Sequence, residues 1–277
     1  MERDKREQLL TDGFCVFGDV LPPDLLHRLR AATDRLAAAQ TAEQVDRQRT
    51  TGSMINAMSD PALAELIALP TALAALRALG YGSPSFSDGW IISKPGRGPR
   101  LFWHYDWFAW EDPASHRPEP LQLALMYYLH DTRRENGCLR VIPGSHVNHN
   151  PLHDALTTPR HELSAGAAPE RAEFDDRPDE VDVPIRAGEL LVTDARLLHA
   201  AHANHTDERR TLITLWYQPD LAAMPERMQA QMGAKTHQPG PDWPADAVAL
   251  VAPLLTRYDG AADPYPRSLY RPPLVEH

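Results

Sequence analysis

Between Phe86 and Pro219 the chain runs through a series of short segments rich in β-branched, aromatic and long aliphatic residues: WIISKPG, LFWHYDWF, LQLALMYYL, CLRVIPG, GELLVTD and RTLITLWYQP. Gly, Pro, Asn and Asp punctuate them, so they are too short and too interrupted for helices. Strands of this length at fairly even spacing predict an antiparallel sandwich or barrel.

The flanks read differently. In GDVLPPDLLHRLRAATDRLAAAQ, Pro22 and Pro23 precede Leu25, Leu29, Ala32 and Leu36 on one face, the pattern of an amphipathic helix begun by proline. Gly13 to Phe17 (GFCVF) reads as a short strand, and Pro61–Leu69 and Thr71–Leu79 as helical stretches separated by Pro70. Asn148–Pro184, carrying His153, His161, Glu170 and Asp175, reads as a long structureless inserted loop covering an opening. After Pro219 the chain is proline-rich without clear periodicity, as expected of a tail wrapped on the surface. The expectation is one domain over 1–277, mainly β with flanking helices. Its parts are a helical part (about 1–85), a β core (about 86–219) and a Pro-rich extension (220–277).

Composition narrows the function. With 277 residues, 43% of them apolar, the chain can bury a sizeable core. The net charge of −10, from 28 basic against 38 acidic residues, disfavours nucleic acid and anionic membrane as partners. MERDKREQLL lacks the apolar run of a secretory signal, and the most apolar window, Ala62–Gly80, is interrupted by Glu65, Pro70 and Arg77. A cytoplasmic protein is therefore expected. The 2 cysteines, Cys15 and Cys138, make neither a disulfide framework nor a multi-thiolate site, whereas 13 histidines allow a metal held by imidazole and carboxylate.

One segment fits that chemistry. In Trp103-His104-Tyr105-Asp106-Trp107 strand alternation turns His104 and Asp106 to one face. His199 lies near a strand end in GELLVTDARLLHAAHANHTDERRTLITLWY. Two histidines and one carboxylate compose the facial triad of non-haem Fe(II) sites. The plainer reading is a hydrogen-bonded strand histidine beside a surface aspartate. Arg210 shares a strand face with Leu212, Thr214 and Trp216, and a guanidinium turned into a barrel needs an anion. That anion is either a carboxylate cosubstrate or an internal acid such as Glu189 or Asp194, unless Arg209 is the inward residue.

Together these residues resemble the phytanoyl-CoA dioxygenase-like (PhyH) Fe(II)/2-oxoglutarate oxygenases, whose fold is a double-stranded β-helix (jelly roll, cupin-like). The resemblance covers roughly Asp12–Tyr217: DGFCVFGDVLPPDLLHRLR, WHYD, MYYLHDTRRENGCLRVIPGSH, and an H-x4-N-x-T-x3-R pattern filled by His199, Asn204, Thr206 and Arg210. It implies that His104, Asp106 and His199 ligate Fe(II). It further implies that Arg210 binds the distal carboxylate of 2-oxoglutarate and that Met126 and Trp90 lie against this cosubstrate. The last two suit core packing equally well. The implied reaction consumes O2, releases succinate and CO2, and hydroxylates, desaturates or cyclises a substrate. Relatives that halogenate replace the carboxylate, so Asp106 speaks against halogenation.

The resemblance also orders the remaining candidates. Asn136-Gly137 is expected to form a hairpin turn, and His146, in the turn Pro143-Gly144-Ser145-His146, to be structural. His202 and His205 compete with His199, but the spacing to Arg210 favours His199. His149 and His153 are expected as solvated loop residues, and Tyr105, Tyr127 and Tyr128 on the opposite face. Phe102, Trp103, Tyr105, Trp107, Phe108 and Trp110 form either an aromatic mouth for a substrate of ring or apolar character or packing beneath the loop. No basic cluster suits coenzyme A phosphates, which favours a free small molecule, a secondary metabolite or amino-acid derivative. A zinc hydrolase on the same triad and a jelly-roll binding protein without turnover are the alternatives. The oligomeric state is left open.

Overall fold

A computed structural model describes residues 4–158, 160–166, 170–265 and 271. Its first part comprises α1 (Lys5–Asp12), β1 (Phe14–Phe17), α2 (Pro23–Ala38), α3 (Ala42–Arg47), β2 (Ile55–Asn56), α4 (Ala64–Ile67) and α5 (Pro70–Ala78). Then follow β3 (Ser85–Lys94), β4 (Leu101–His104), β5 (Leu123–Tyr128), β6 (Leu139–Val141), α6 (Pro151–Ala155), α7 (Arg160–Ser164), β7 (Val181–Val183), β8 (Leu190–Asp194), β9 (His199–Ala201) and β10 (Arg210–Gln218). The chain closes with α8 (Glu226–Lys235) and α9 (Ala245–Val251).

The strands form two antiparallel sheets, a 6-stranded one in the order β1-β8-β5-β10-β3-β2 and a 4-stranded one in the order β4-β9-β6-β7. This is the expected jelly-roll core. Side-chain parity sorts its contents. Ala124, Met126 and Tyr128 of β5 join Leu212 of β10 and Leu139 and Val141 of β6 in a cluster between the sheets. The alternate residues Leu125, Tyr127, Ile213, Leu215 and Tyr217 pack outward with Leu25, Leu29, Leu66 and Leu76 of the helices. Helices thus cover one face of the larger sheet. The apolar stretch around Pro70 belongs to this layer. It is broken into α4 and α5, and its Leu63, Leu66, Ile67 and Leu76 are buried.

Two expectations need correction. Asn148–Pro184 is not structureless, since it forms α6, α7, a 3-10 turn at Ala172–Phe174 and β7, an edge strand of the smaller sheet. The tail after Pro219 holds α8, whose Met228 and Met232, one helical turn apart, are buried against Trp107 and its neighbours.

Candidate metal and cosubstrate site

His104 ends β4 and His199 begins β9, and the two are direct partners across the strand pair, with ring centroids 4.1 Å apart. The Nδ1 of His104 bonds Phe102 O at 2.9 Å, and the Nδ1 of His199 bonds Leu197 O at 3.0 Å. Each contact makes Nδ1 the protonated nitrogen and leaves the Nε2 lone pair for the site. Asp106 lies beyond the end of β4. Alternation along a strand does not place it there. Instead the Asp106 and Trp107 amides both donate to Ala195 O, at 2.7 and 2.9 Å, and this clasp turns the chain so that the carboxylate faces the histidines.

Asp106 Oδ1 is 4.0 Å from His104 Nε2, and Oδ2 is 3.9 Å from His199 Nε2. One donor atom from each residue lies within 4.8 Å of the others. Burial pushes the His104 pKa well below the ordinary histidine value, and the neighbouring His199 and Arg160 push the same way, so the ring is neutral at pH 7. Two imidazoles beside one carboxylate are the donor set that a divalent cation of borderline softness takes.

The three residues line a cavity of about 420 Å³, shared with Trp90, Met126 and Arg210. Cross-strand register explains why. On the antiparallel β3–β10 and β5–β10 pairs, Thr214 is opposite both Trp90 and Met126, and Arg210 is opposite Lys94. Arg210 is only 3% exposed, and its guanidinium carbon lies 5.4 Å from the Tyr128 ring centre. The internal acids considered for it are engaged elsewhere: Asp194 pairs with Arg196 at 2.6 Å, and Glu189 accepts the Arg186 amide at 2.8 Å. Arg210 Nε and the Thr214 hydroxyl are buried without a hydrogen-bond partner. Buried polar atoms are nearly always satisfied, so two orphans in one cavity point to a polar ligand.

The motif around Arg210 has a mechanical reason. Asn204 Nδ2 donates to Pro95 O (3.0 Å) and Glu208 O (2.7 Å), while Thr206 Oγ1 donates to Asn204 Oδ1 (2.7 Å). These bonds close the turn that returns the chain from β9 into β10. Asn136 forms a β-bridge with Asn204, which brings two distant motifs together. Only the glycine of Asn136-Gly137 is left-handed, at φ 85°, so this is not the two-residue hairpin turn that needs both residues there.

Several other expectations change. Phe102 lines the cavity, but Trp103, Tyr105, Trp107, Phe108 and Trp110 form a buried cluster with Met224, Met228 and Met232, so they are core and not mouth. Tyr128 faces the cavity, not away from it. His153 is 1% exposed, against Tyr105, Trp110 and Arg271, rather than solvated. His146 is structural as expected: its Nε2 contacts Leu10 O at 3.2 Å, and its ring lies where a Cβ on Gly13 would be. His202 points elsewhere and bonds Asp182 at 2.6 Å beside Cys138. Asp182 is also paired with Arg134 at 3.0 Å, and burial pushes the Cys138 thiol up to about 12, so that group is an ion-pair cluster around a protonated thiol.

Two cavity residues escaped the sequence. Lys94 is 1% exposed, with its ammonium donating to Thr50 O at 2.7 Å and to Pro99 O. Arg160 of α7 reaches Asp106 Oδ1 at 3.5 Å.

The chain and its fold resemble known proteins. An ectoine dioxygenase of Nocardia farcinica (strain IFM 10152) is 28% identical over 233 residues, covering 76% of each chain. The structure of EctD from S. alaskensis with 2-oxoglutarate and 5-hydroxyectoine superimposes with a TM-score of 0.59 at 19% identity, over 98% of this chain and 86% of that one. The epimerase SnoN in complex with Fe3+, alpha ketoglutarate and nogalamycin RO gives a TM-score of 0.58 at 22% identity, over 77% of this chain and 82% of that one. The profile of the phytanoyl-CoA dioxygenase (PhyH) family matches residues 9–212, and the chain belongs to that family.

Proposed function

We propose that His104, Asp106 and His199 hold Fe(II), that Arg210 anchors the distal carboxylate of 2-oxoglutarate, and that a small organic substrate is oxidised beside them. The reaction class follows from the family: the enzyme is an Fe(II)- and 2-oxoglutarate-dependent dioxygenase using O2. The assignment of residues rests on one observation, the convergence of two imidazoles and one carboxylate within 4.8 Å at the wall of a cavity that contains a buried arginine.

When bound, the iron couples decarboxylation of 2-oxoglutarate to succinate and CO2 with oxidation of the substrate. The protein's part is positioning. Phe102 O and Leu197 O fix the two imidazoles, and the Ala195 carbonyl fixes the Asp106 backbone. Arg210 Nε and Thr214 Oγ1 offer hydrogen bonds that a carboxylate accepts. Trp90 and Met126 flank the cosubstrate, and Ile92, Leu139 and Leu212 keep the cavity wall apolar and exclude water. Zinc hydrolysis on the same triad would leave Arg210 without an anion.

The substrate reading is a free small molecule, a secondary metabolite or amino-acid derivative. A second cavity of about 510 Å³, with Gln40, Gln44, Arg47 and Asn56 in its wall, shares Gln48, Met54 and Trp90 with the first. The shared wall gives a substrate a polar extension toward α3. The ectoine dioxygenase relative supports a small-molecule substrate. The test is succinate formation from 2-oxoglutarate in air across a set of candidate small molecules. Fe(II)-dependent release, stimulated by a substrate and lost in His199→Ala, is expected. Release that needs no Fe(II), or that survives His199→Ala, contradicts the proposal.

A further inference from the structure

We infer that Asp88 is a positioning residue for the reaction. It fixes the indole of Trp90, the sheet residue whose side chain walls both the proposed iron and cosubstrate cavity and the second cavity beside α3. The inference rests on the proposed placement of Trp90 against the cosubstrate and adds the group that holds it there.

Lys94, Ile92 and Trp90 occupy alternate positions of β3, and all three line the metal-site cavity. Asp88 is the next position in that row. It does not line the cavity and is 7% exposed. A carboxylate buried to this degree is costly unless donors surround it. Four groups do so. Trp90 Nε1 donates to Oδ2 at 3.1 Å, while Asn56 Nδ2 and the Gly89 amide donate to Oδ1 at 3.2 and 2.8 Å. His237 Nδ1 lies 3.0 Å from Oδ1. Three of the four contacts thus converge on one oxygen, and the indole holds the other.

Trp90 is held from more than one side. An indole has a single donor and no acceptor, so a bond at Nε1 fixes how the ring is turned. The His237 ring packs edge-on against it, with centroids 6.1 Å apart and planes at 83°. Asn56 is the cross-strand partner of Trp90 on β2, and its Oδ1 accepts the Met58 amide at 2.7 Å, so the residue that shares Asp88 with the indole is itself fixed. His237 follows α8, and its amide donates to Ser87 O at 3.3 Å, which ties the C-terminal extension to the same strand. With Nε1 turned to Asp88, both cavities meet the apolar ring of the indole. Without Asp88, the N–H would need another acceptor, and the shared wall that Trp90 forms with Gln48 and Met54 would change shape.

The test follows Trp90 itself. The chain has 6 tryptophans, and in the proton–nitrogen spectrum of protein made with isotope-labelled tryptophan the Trp90 indole signal is the one missing from Trp90→Phe. That signal is expected to move in Asp88→Ala, to stay near its wild-type position in Asp88→Asn, which keeps an acceptor, and to shift when 2-oxoglutarate is added without metal. Cosubstrate affinity is read separately, from the visible charge-transfer band of protein given Fe(II) and 2-oxoglutarate without oxygen. It is expected to fall several-fold in Asp88→Ala and in Trp90→Phe, with the double variant no weaker than Trp90→Phe alone, because the two changes break one bond. An indole signal unmoved in Asp88→Ala, or losses that add in the double variant, would overturn the inference. If Asp88→Ala does not fold, hydrogen exchange in wild type decides: slow exchange of the Trp90 indole supports the bond, and exchange as fast as that of a free indole overturns it. A signal that Asp88→Ala moves and 2-oxoglutarate leaves in place would overturn the cosubstrate placement instead.

Discussion

Arg210 and Lys94 are direct cross-strand partners on β10 and β3, two cationic side chains 3% and 1% exposed. Burial pulls the pKa of each below its usual range, and for Lys94 the neighbouring Arg210 charge pushes the same way. An anion between sheet and cavity relieves both costs. 2-Oxoglutarate is therefore expected to raise the melting temperature even without metal. At a hundredfold excess over Kd the gain is about 2.7 kcal/mol. Arg210→Gln should abolish the shift, and thermal unfolding with and without 2-oxoglutarate measures it. An unchanged shift in the variant would remove the anchor.

Thr214 offers a cleaner probe. Its hydroxyl is buried without a partner, so Thr214→Val removes an unsatisfied group while keeping the shape. Folding stability should stay within about 1 kcal/mol of wild type or rise, while 2-oxoglutarate affinity falls several-fold, the worth of one hydrogen bond, about 1 kcal/mol. Chemical denaturation and ligand titration read the two effects separately. Equal affinity in both proteins would place the hydroxyl away from the cosubstrate.

Asp106 is the only carboxylate among the described residues lining the main cavity. Asp106→Asn preserves volume but withdraws the negative charge, and Fe(II) affinity should drop at least about tenfold. Anaerobic competition against a chelator gives the constant, and a wild-type value in the variant would exclude Asp106 as a ligand.

His153 links stability to pH. Burial first, then Arg271 and His149, depress its pKa to about 3, whereas an unfolded histidine titrates near 6.5. Below pH 6.5 the unfolded chain binds a proton that the folded chain refuses, so stability falls as pH falls from 6.5 toward 3. At about 1.4 kcal/mol per pH unit, wild type should lose about 2 kcal/mol from this group between pH 7 and 5. His153→Asn should lose correspondingly less. Denaturant midpoints at the two pH values decide it, with parallel losses in both proteins as the contrary result.

What could be read from the sequence followed from local pattern. The alternation in RTLITLWYQ places Arg210, Leu212, Thr214 and Trp216 on the cavity side because β10 has chemically distinct faces. LALMYY is buried on both faces, as β10 is, but carries no charged residue to mark the cavity side, so its composition does not say which side Met126 and Tyr128 take. Asp106 was assigned to the correct side by an alternation that ends at His104. The force that places it, two amides on Ala195 O, is a contact between distant segments. Lys94 resembles any strand-end lysine until register sets it opposite Arg210. Arg160 belongs to a helix of 5 residues, too short to show periodicity. The aromatic run around WHYD was ambiguous because both a mouth and a core need large side chains. Met228 and Met232, far along the chain, make it a core.

The visible spectrum of wild-type protein given Fe(II) and 2-oxoglutarate under anaerobic conditions tests the central claim most directly. A charge-transfer band that needs both additions, and that is absent in Asp106→Ala and in Arg210→Gln at the same cosubstrate concentration, is the predicted result. A wild type that binds neither, or a band that persists in both variants, would contradict the assignment of this cavity as the iron and cosubstrate site.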